Sequence, residues 1–242
     1  KNSDKKNLAY LNLGMDSNGP GFQLATLKEY HTKETEFILW FYYENNDLAE
    51  VERDSKNIIL QKYLNQPNFK QNLSLNQRSL NQKINKKIQD EYKKIKEEKI
   101  KEEKIKEEKI KEEYKLIIKY SDFIKFKYLR SQIHLNENKH NLEKYKGYLA
   151  EAKNFATKKG SKLIFIFLPE FGRYNFNYRQ RDKNYVEIIK LVNELDIDII
   201  DLNTKLFLKQ ENPNIFFPFG MSGHYNKEGY SKAAEIINIF LN

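Results

Sequence analysis

Three loops of this sequence combine glycine, proline or asparagine with groups that can take part in catalysis. Loop 12–21 is rich in glycine and precedes a helix, so its backbone N–H groups could bind an anion or a developing oxyanion. Loop 44–48 places Asn46 after an apolar run, where its side-chain amide could donate to an oxyanion. Loop 217–226 places His224 directly before a helix, where it could act as a general base. Each loop also has an ordinary structural interpretation, because these residue types are common in turns.

The elements around these loops predict an α/β protein. Continuous apolar runs predict buried strands at 7–13, 36–43, 162–168 and 197–202. Apolar residues at helical spacing predict helices over 20–31, 142–156, 185–195 and from Asn226 to 241. Gly160 is expected to end the second of these helices. Because strands alternate with helices, we expect a parallel sheet with its site at the carboxyl ends of the strands.

A polar segment interrupts this pattern. We predict an α/β domain formed by 1–65 and 115–242, and a charged, low-complexity helical insertion over 66–114. Within the insertion, Lys-Ile-Lys-Glu-Glu repeats as a pentad over 93–113. A step of five residues rotates each isoleucine by about 140° around a helix, so the isoleucines form no coiled-coil seam. The segment is either a spacer or partner arm, or an expanded repeat without a function.

Composition excludes several function classes. The 242 residues include no cysteine, so disulfides, thiolate zinc sites and a cysteine nucleophile are excluded. Four scattered histidines predict no metal site, and loop 12–21 lacks the GxGxxG spacing and the lysine of nucleotide-binding loops, so no cofactor is expected. Net charge is +9, but it comes from lysine and not arginine, so specific nucleic-acid binding is not expected. No apolar stretch is long enough to predict a transmembrane segment.

Taken together, three segments resemble the SGNH (GDSL-type) hydrolase family. Segment 11–30, LNLGMDSNGPGFQLATLKEY, resembles the second sequence block of that family, and 38–48, ILWFYYENNDL, resembles the third. Segment 217–236, FPFGMSGHYNKEGYSKAAEI, resembles the fifth. The resemblance implies a flavodoxin-like, three-layer parallel sheet and a serine hydrolase of acyl or O-acetyl esters. Its substrate would be a small-molecule, carbohydrate or lipid ester.

The resemblance also implies residue roles. His224 would be the catalytic base, Asn46 would donate its side-chain amide to the oxyanion, and the backbone N–H of Ser17 would be the second donor. The family normally has glycine where Ser17 stands. Many members have an aspartate three residues before the histidine, to orient it, and here that position is Met221.

The nucleophile is the main departure from the family. Its first block, a strand that ends in Gly-Asp-Ser, has no counterpart here, so we expect the first central strand and its serine to precede Lys1 in a longer protein. Asp16 and Ser17 could instead be the nucleophile block, although Asn46 then follows closely. The chain as written is expected to be inactive. The alternative is a catalytically inactive α/β binding or scaffold protein with a charged helical arm, and the compartment, cell envelope or cytoplasm, stays open.

Residues after the 162–168 strand give two further hypotheses. Glu170, Arg173 and Arg181 follow its carboxyl end and could contact a polar substrate, or they could be solvated loop charges. The aromatic residues within 165–178 could line an acyl or sugar pocket, or they could belong to the core.

Overall fold

The computed structural model describes the backbone of residues 9–15, 18–44, 46–79, 81–93, 127–174 and 179–241. The chain divides into two compact units. One is formed by Lys1–Phe69 with His140–Asn242, and the other by Lys70–Lys139. In the second unit, residues 77–79, 81–93 and 127–139 are helical. The pentad repeat lies outside the described residues from position 94 onward.

Three parallel strands form the sheet of the first unit. They are β1 (Phe37–Tyr43), β2 (Lys162–Leu168) and β3 (Asp198–Asp201), in the order β1-β2-β3. Phe37 pairs with Lys162. All three were predicted from apolar runs, because a strand with helices on both sides has little need of polar side chains. The described sheet is open and all-parallel, so the α/β class is confirmed.

Helices flank the strands. The α-helices are α1 (Pro20–Tyr30), α2 (Asp47–Ser55), α3 (Ile58–Asn65), α4 (Lys127–Lys158), α5 (Arg179–Glu194), α6 (Leu202–Lys205) and α7 (Lys227–Leu241). Short 3-10 helices span Phe171–Tyr174, Phe207–Lys209, Pro213–Phe216 and Pro218–Gly220. The predicted ends of two helices are confirmed. Gly160 follows α4 with a left-handed φ of 75°, and Asn226 Oδ1 accepts from the Gly229 N–H at 2.9 Å at the start of α7.

One face of the sheet packs against four of the helices. Trp40 and Tyr42 of β1 and Phe165 and Phe167 of β2 lie on this face and are almost completely buried. They join apolar residues of α1, α2, α4 and α5 in one core cluster. Two ring pairs stack within it, with the Tyr42 centroid 5.7 Å from that of Phe165 and 5.6 Å from that of Phe167.

The opposite face packs against α7 and the 3-10 helices. Ile164, Ile166 and Ile200 are fully buried there, and Ala233 and Ile237 of α7 are largely buried. The sheet therefore has a hydrophobic core and helices on each side. This arrangement leaves the two ends of the strands as the places where polar groups can approach it.

The predicted strand at 7–13 is wrong for the described residues 9–15, which contain no strand. Tyr10 and Leu11 are 62% and 67% exposed. A strand needs a neighbour that receives its hydrogen bonds, and no described strand lies beside this segment. Apolar composition alone therefore misled the prediction.

Strand β1 forms one edge of the described sheet. The Glu44 N–H donates to Leu168 O at 3.1 Å, so alternation along the strand directs the backbone groups of Leu39 and Phe41 to the opposite side. On that side, Gln23 Nε2 donates to Phe41 O at 3.4 Å. Phe41 is 42% exposed. The sequence predicted a strand covered on both faces, but Phe41 is partly exposed. The outer edge of β1 has no neighbouring strand among the described residues.

Candidate functional site

Polar side chains lie along the carboxyl edge of the sheet, where a parallel α/β protein is expected to hold its site. Glu44 and Asn46 follow β1, and Glu170 and Arg173 follow β2. Asp201 is the last residue of β3. The loops after the strands thus place residues from distant parts of the sequence at one edge.

Asn46 lies between β1 and α2, at the N-cap position of the helix. Its backbone N–H donates to Tyr43 O at 3.4 Å, and its side-chain Nδ2 donates to Glu50 Oε1 at 3.3 Å. The Oδ1 atom is buried and has no hydrogen-bond partner within the described residues. The Nδ2 atom carries a second N–H beside the one given to Glu50, so the amide has a donor for another polar group.

His224 lies at the same edge of the sheet. Its ring is tilted against the ring of Tyr43, with the centroids 5.7 Å apart, and the Tyr43 hydroxyl donates to Gly223 O at 3.5 Å. The His224 side chain is exposed. Tyr43 therefore contacts the loop of the predicted base and, through its backbone carbonyl, the predicted oxyanion donor Asn46.

No described carboxylate orients the His224 ring. Within the described residues, the imidazole makes no hydrogen bond and no ion pair. Met221, at the position where the resembled family often has aspartate, is 59% exposed. The backbone of this loop includes Phe219 at a left-handed φ of 55° and 94% exposure. An exposed imidazole without a hydrogen-bond partner is accessible to a ligand.

Ser17, the other predicted oxyanion donor, lies outside the described residues, as does Asp16. The adjoining glycines are described. Gly19 precedes α1, whose first residue is Pro20, and the Gly21 N–H donates to Asp54 Oδ2 at 2.9 Å. Proline fits the first position of a helix because its missing N–H would have no helical partner there. The described part of the loop is therefore a tight turn fastened to α2.

The structure brings Glu44 and Arg173 together, a pair that no pattern in the sequence indicated. The Arg173 Nε lies 3.1 and 2.9 Å from the two carboxylate oxygens of Glu44, and the Glu170 N–H donates to Glu44 Oε2 at 3.2 Å. The Arg173 and Glu44 side chains are 7% and 4% exposed. The guanidinium carbon lies 4.6 Å from the Tyr185 ring centroid. Arg173 therefore ties two loops of the edge together and is not a solvated charge.

The other residues that were considered as substrate contacts have different outcomes. Glu170 is buried, with 7% exposure. The Arg181 side chain lies outside the described residues. Phe165 and Phe167 belong to the hydrophobic core, so for these two aromatic residues the core interpretation holds and the pocket interpretation does not.

Sequence reasoning also missed Asp47. This residue is 6% exposed, and its Oδ2 accepts from the Tyr43 N–H at 3.1 Å. Burial raises the pKa of Asp47 to about 8, and the hydrogen bond from the Tyr43 backbone opposes that rise. A carboxyl at this position is thus protonated near neutral pH, and nothing in the local sequence distinguishes it from an exposed helix-start aspartate.

The carboxyl end of β3 is occupied by a closed hydrogen-bond network. The Tyr185 hydroxyl donates to Asp201 Oδ2 at 2.6 Å, and the Tyr174 hydroxyl donates to Asn203 Oδ1 at 2.9 Å. Burial and the bond to Asp201 raise the pKa of Tyr185 to about 12. Both phenols therefore stay neutral donors, and this network holds loops in place.

A serine–histidine hydrogen bond occurs at the other end of the strands, where β2 begins. His31 Nε2 and Ser161 Oγ are 2.8 Å apart, directly before β2 begins. Ser161 Oγ donates to Thr35 O at 2.7 Å. Because a carbonyl can only accept, the hydroxyl proton points to Thr35 and the histidine donates to the serine. That is the reverse of the arrangement that activates a nucleophile.

A depression in the surface lies apart from these residues. A shallow depression of about 600 Å³ follows α5 and is lined by Tyr185, Val186, Ile189, Lys190, Asn193 and Glu194. It includes neither Asn46 nor His224. Among the described side chains, no cluster of His, Asp or Glu is arranged to hold a metal ion.

Comparison with known proteins adds no relative. No protein-family model, curated protein or solved structure matches this chain. The family resemblance therefore stays a prediction. In the part of the chain that the structure describes, none of the helices combines the length and the apolar character needed to cross a membrane.

Proposed function

We propose that this chain belongs to a serine ester hydrolase of the SGNH type. The observation that carries the proposal is that His224 and Asn46 both adjoin Tyr43, at the carboxyl end of β1. Two groups suited to the same acyl-transfer reaction thus lie at the edge where parallel α/β folds hold their sites. The flavodoxin-like form of the fold belongs to the same proposal, supported by helices on both faces of the sheet.

In the proposed reaction, a serine Oγ attacks the ester carbonyl and His224 takes the hydroxyl proton. The carbonyl oxygen becomes an oxyanion and accepts from the Asn46 Nδ2–H. Collapse of the tetrahedral intermediate breaks the bond to the alcohol oxygen, which receives the proton from His224. Water then attacks the acyl-enzyme with His224 again as base, releasing the acid and restoring the serine.

We propose that the nucleophile lies on a further strand that pairs with the open side of β1. The backbone N–H and C=O of Leu39 face that side, and no hydrogen bond to either is found within the described residues. The Phe41 side chain is 42% exposed, and a neighbouring strand would replace the 3.4 Å hydrogen bond from Gln23 Nε2 to Phe41 O. A parallel neighbour of β1 would end at the same edge as Asn46, so a serine at its carboxyl end would lie near the proposed oxyanion donor.

A fluorophosphonate probe tests the proposal on the protein isolated from its native source. The probe forms a covalent bond with an activated serine, and mass spectrometry of the digest locates it. We expect labelling of a serine that follows a strand, and loss of labelling in His224→Gln. Labelling of Ser17 would support the hydrolase but would overturn the proposal that the nucleophile lies on a further strand beside β1. A native protein that folds and is not labelled overturns the proposal.

A binding or scaffold protein is the second candidate. It is favoured by the absence of a described carboxylate at His224 and by Met221 at the position where the resembled family often has aspartate. This candidate predicts an unlabelled protein with no ester hydrolysis. The probe experiment therefore separates the two.

A further inference from the structure

A chain of polar contacts runs along α2 from Asn46 to its last turn. Asn46 Nδ2 donates to Glu50 Oε1 at 3.3 Å, and Arg53 Nη2 donates to Glu50 Oε2 at 2.7 Å. Arg53 also donates to Asp54 Oδ1, from Nε at 3.2 Å and from Nη2 at 3.1 Å. Asp54 Oδ2 then accepts from the Gly21 N–H at 2.9 Å. One helix thus connects the proposed oxyanion donor with the glycine-rich loop.

The Asp54 end of this chain is fully buried. Asp54 has no exposed surface, and its two oxygens are used by Arg53 and Gly21. The Gly21 N–H lies in the first turn of α1, where it has no partner within the helix. A negative charge at this end is also favoured by the helix dipole. Asp54 therefore holds the start of α1, and the loop before it, against α2.

Close packing makes this contact specific. A Cβ at Gly19 would lie 2.4 Å from Asp54 Oδ2 and 2.9 Å from Glu50 Cβ. A Cβ at Gly21 would lie 3.0 Å from Asp54 Cβ. Both glycines are thus needed for close approach, and neither has a left-handed φ. The loop can reach α2 only because these two positions carry no side chain.

The Glu50 end of the chain determines which way the Asn46 amide faces. An ionised carboxylate only accepts hydrogen bonds, so Glu50 selects the Nδ2 side of the amide and disfavours a flip that would present Oδ1. The second Nδ2–H is left for a ligand. The Glu50 side chain is 16% exposed and is fixed in turn by Arg53. Stabilisation of an oxyanion depends on a donor that is already oriented before the charge develops.

We propose that Glu50 and Asp54 are positioning residues for the oxyanion site. Glu50 orients the Asn46 amide, and Asp54 fastens the glycine-rich loop to the same helix. This inference rests on the proposed ester hydrolase. It makes α2 the element that links Asn46 with Gly19 and Gly21, which are far from Asn46 in sequence.

The Asp54 contact can be measured without an activity assay. Amide hydrogen exchange at Gly21, followed by NMR on the full chain, should be at least about 10-fold faster in Asp54→Ala, because the N–H loses its acceptor. Asp54→Asn keeps an Oδ1 acceptor and should restore most of the protection. Glu52→Gln is the matched control, since Glu52 is on the same helix and pairs with Lys56 and Lys144 instead. If Asp54→Ala folds and the exchange rate at Gly21 is unchanged, this contact is overturned. If Asp54→Ala does not fold, loss of the Gly21 protection in Asp54→Asn overturns it instead.

The proposed role of Glu50, to orient the Asn46 amide, is tested by steady-state kinetics of the active native protein. Glu50→Gln can both donate and accept, so the Asn46 amide is no longer held in one orientation. We expect kcat for a p-nitrophenyl ester to fall at least about 10-fold with little change in KM, because the donor acts on the transition state. Glu52→Gln should keep the kcat of the wild type. An unchanged kcat in Glu50→Gln overturns the positioning role.

The two measurements separate the failure of this inference from that of the proposed function. If Asp54→Ala exposes Gly21 while the labelled serine and ester hydrolysis are both missing from the wild type, the loop contact holds and the hydrolase is overturned. If the wild type hydrolyses esters and Glu50→Gln does so equally well, the hydrolase holds and the positioning role is overturned.

Discussion

The imidazole of His224 lies against the ring of Tyr43, with 5.7 Å between the centroids. Tyr43 is the last residue of β1, and its carbonyl accepts from the Asn46 N–H at 3.4 Å. A single residue at the end of a strand therefore positions both the loop before α7 and the turn into α2. We expect this contact to be the main determinant of where the His224 ring lies.

Replacement of Tyr43 tests this contact. Tyr43→Leu removes the aromatic ring, so the ring-current shift at the His224 Hε1 proton should disappear from the NMR spectrum. Tyr43→Phe keeps the ring and should keep the shift. His224→Gln assigns the resonance. Equal His224 shifts in Tyr43→Leu and the wild type would show that the two rings are not in contact in solution.

Replacement of Asn46 tests the proposed oxyanion donor. Asn46→Ala should lower kcat of the active protein by about 10²–10³, the usual effect of deleting one such donor. Asn65→Ala is the control, since Asn65 is an exposed residue at the end of α3. Steady-state kinetics with a p-nitrophenyl ester provide the comparison. A kcat equal to that of the control would remove Asn46 from the site.

The buried carboxyl of Asp47 predicts a pH-dependent stability. Burial raises its pKa from 3.8 to about 8, so between about pH 4 and 8 the folded carboxyl is protonated while the unfolded one is ionised. Folding then takes up a proton, and this group lowers the free energy of unfolding by at most about 1.4 kcal/mol per pH unit as pH rises. The loss is complete above about pH 8.

Asp47→Asn removes that titration. Thermal melts from pH 5 to 9 should show a Tm that falls less than in the wild type and lies above it at pH 8. Asp90→Asn, an exposed position in the helical residues 81–93, is the control and should follow the wild type. A Tm profile of Asp47→Asn that parallels the wild type would mean that Asp47 is ionised in the folded chain.

Because Glu44 and Arg173 form a buried ion pair, removal of one partner is expected to lower the free energy of unfolding strongly. Arg173→Met leaves the Glu44 charge without its counter-ion and should cost about 3–5 kcal/mol in urea unfolding. Glu44→Leu combined with Arg173→Met should cost less than the sum of the single changes. Lys232→Ala, in the exposed pair with Glu235, should cost less than about 1 kcal/mol. Strict additivity would contradict a direct interaction.

Replacement by alanine is predicted to have opposite effects on stability at a glycine of the loop and at a glycine of α4. Gly19→Ala places a Cβ 2.4 Å from Asp54 Oδ2 and should lower the free energy of unfolding by about 1–3 kcal/mol. Gly147→Ala meets nothing within 4 Å inside α4 and should raise it by about 0.5–1 kcal/mol. Urea unfolding followed by circular dichroism measures both. A neutral Gly19→Ala would show that the loop does not pack against α2.

The sequence by itself determined most of the elements. The runs at β1 and β2 were recognisable because a strand buried among helices is apolar along its whole length. Pro20, Gly160 and Asn226 marked helix ends through local backbone geometry. The same reasoning indicated that Asn46 and His224 follow strands, although their catalytic roles stay predictions. It failed at 9–13, the described part of the predicted strand 7–13, because an apolar run forms a strand only beside a partner.

Only the tertiary structure decided which charged and polar groups pair at the carboxyl ends of the strands and beside α2. Local periodicity shows which residues are apolar, but it does not show which charge meets which. Glu44 and Arg173 are ordinary loop residues in the sequence, and they are buried because the ends of β1 and β2 bring them together. Asp54 became the partner of Gly21 because two glycines, at and just before the start of α1, leave room for the Asp54 side chain. Such pairs depend on contacts between distant segments, and those contacts exist only once the chain has folded.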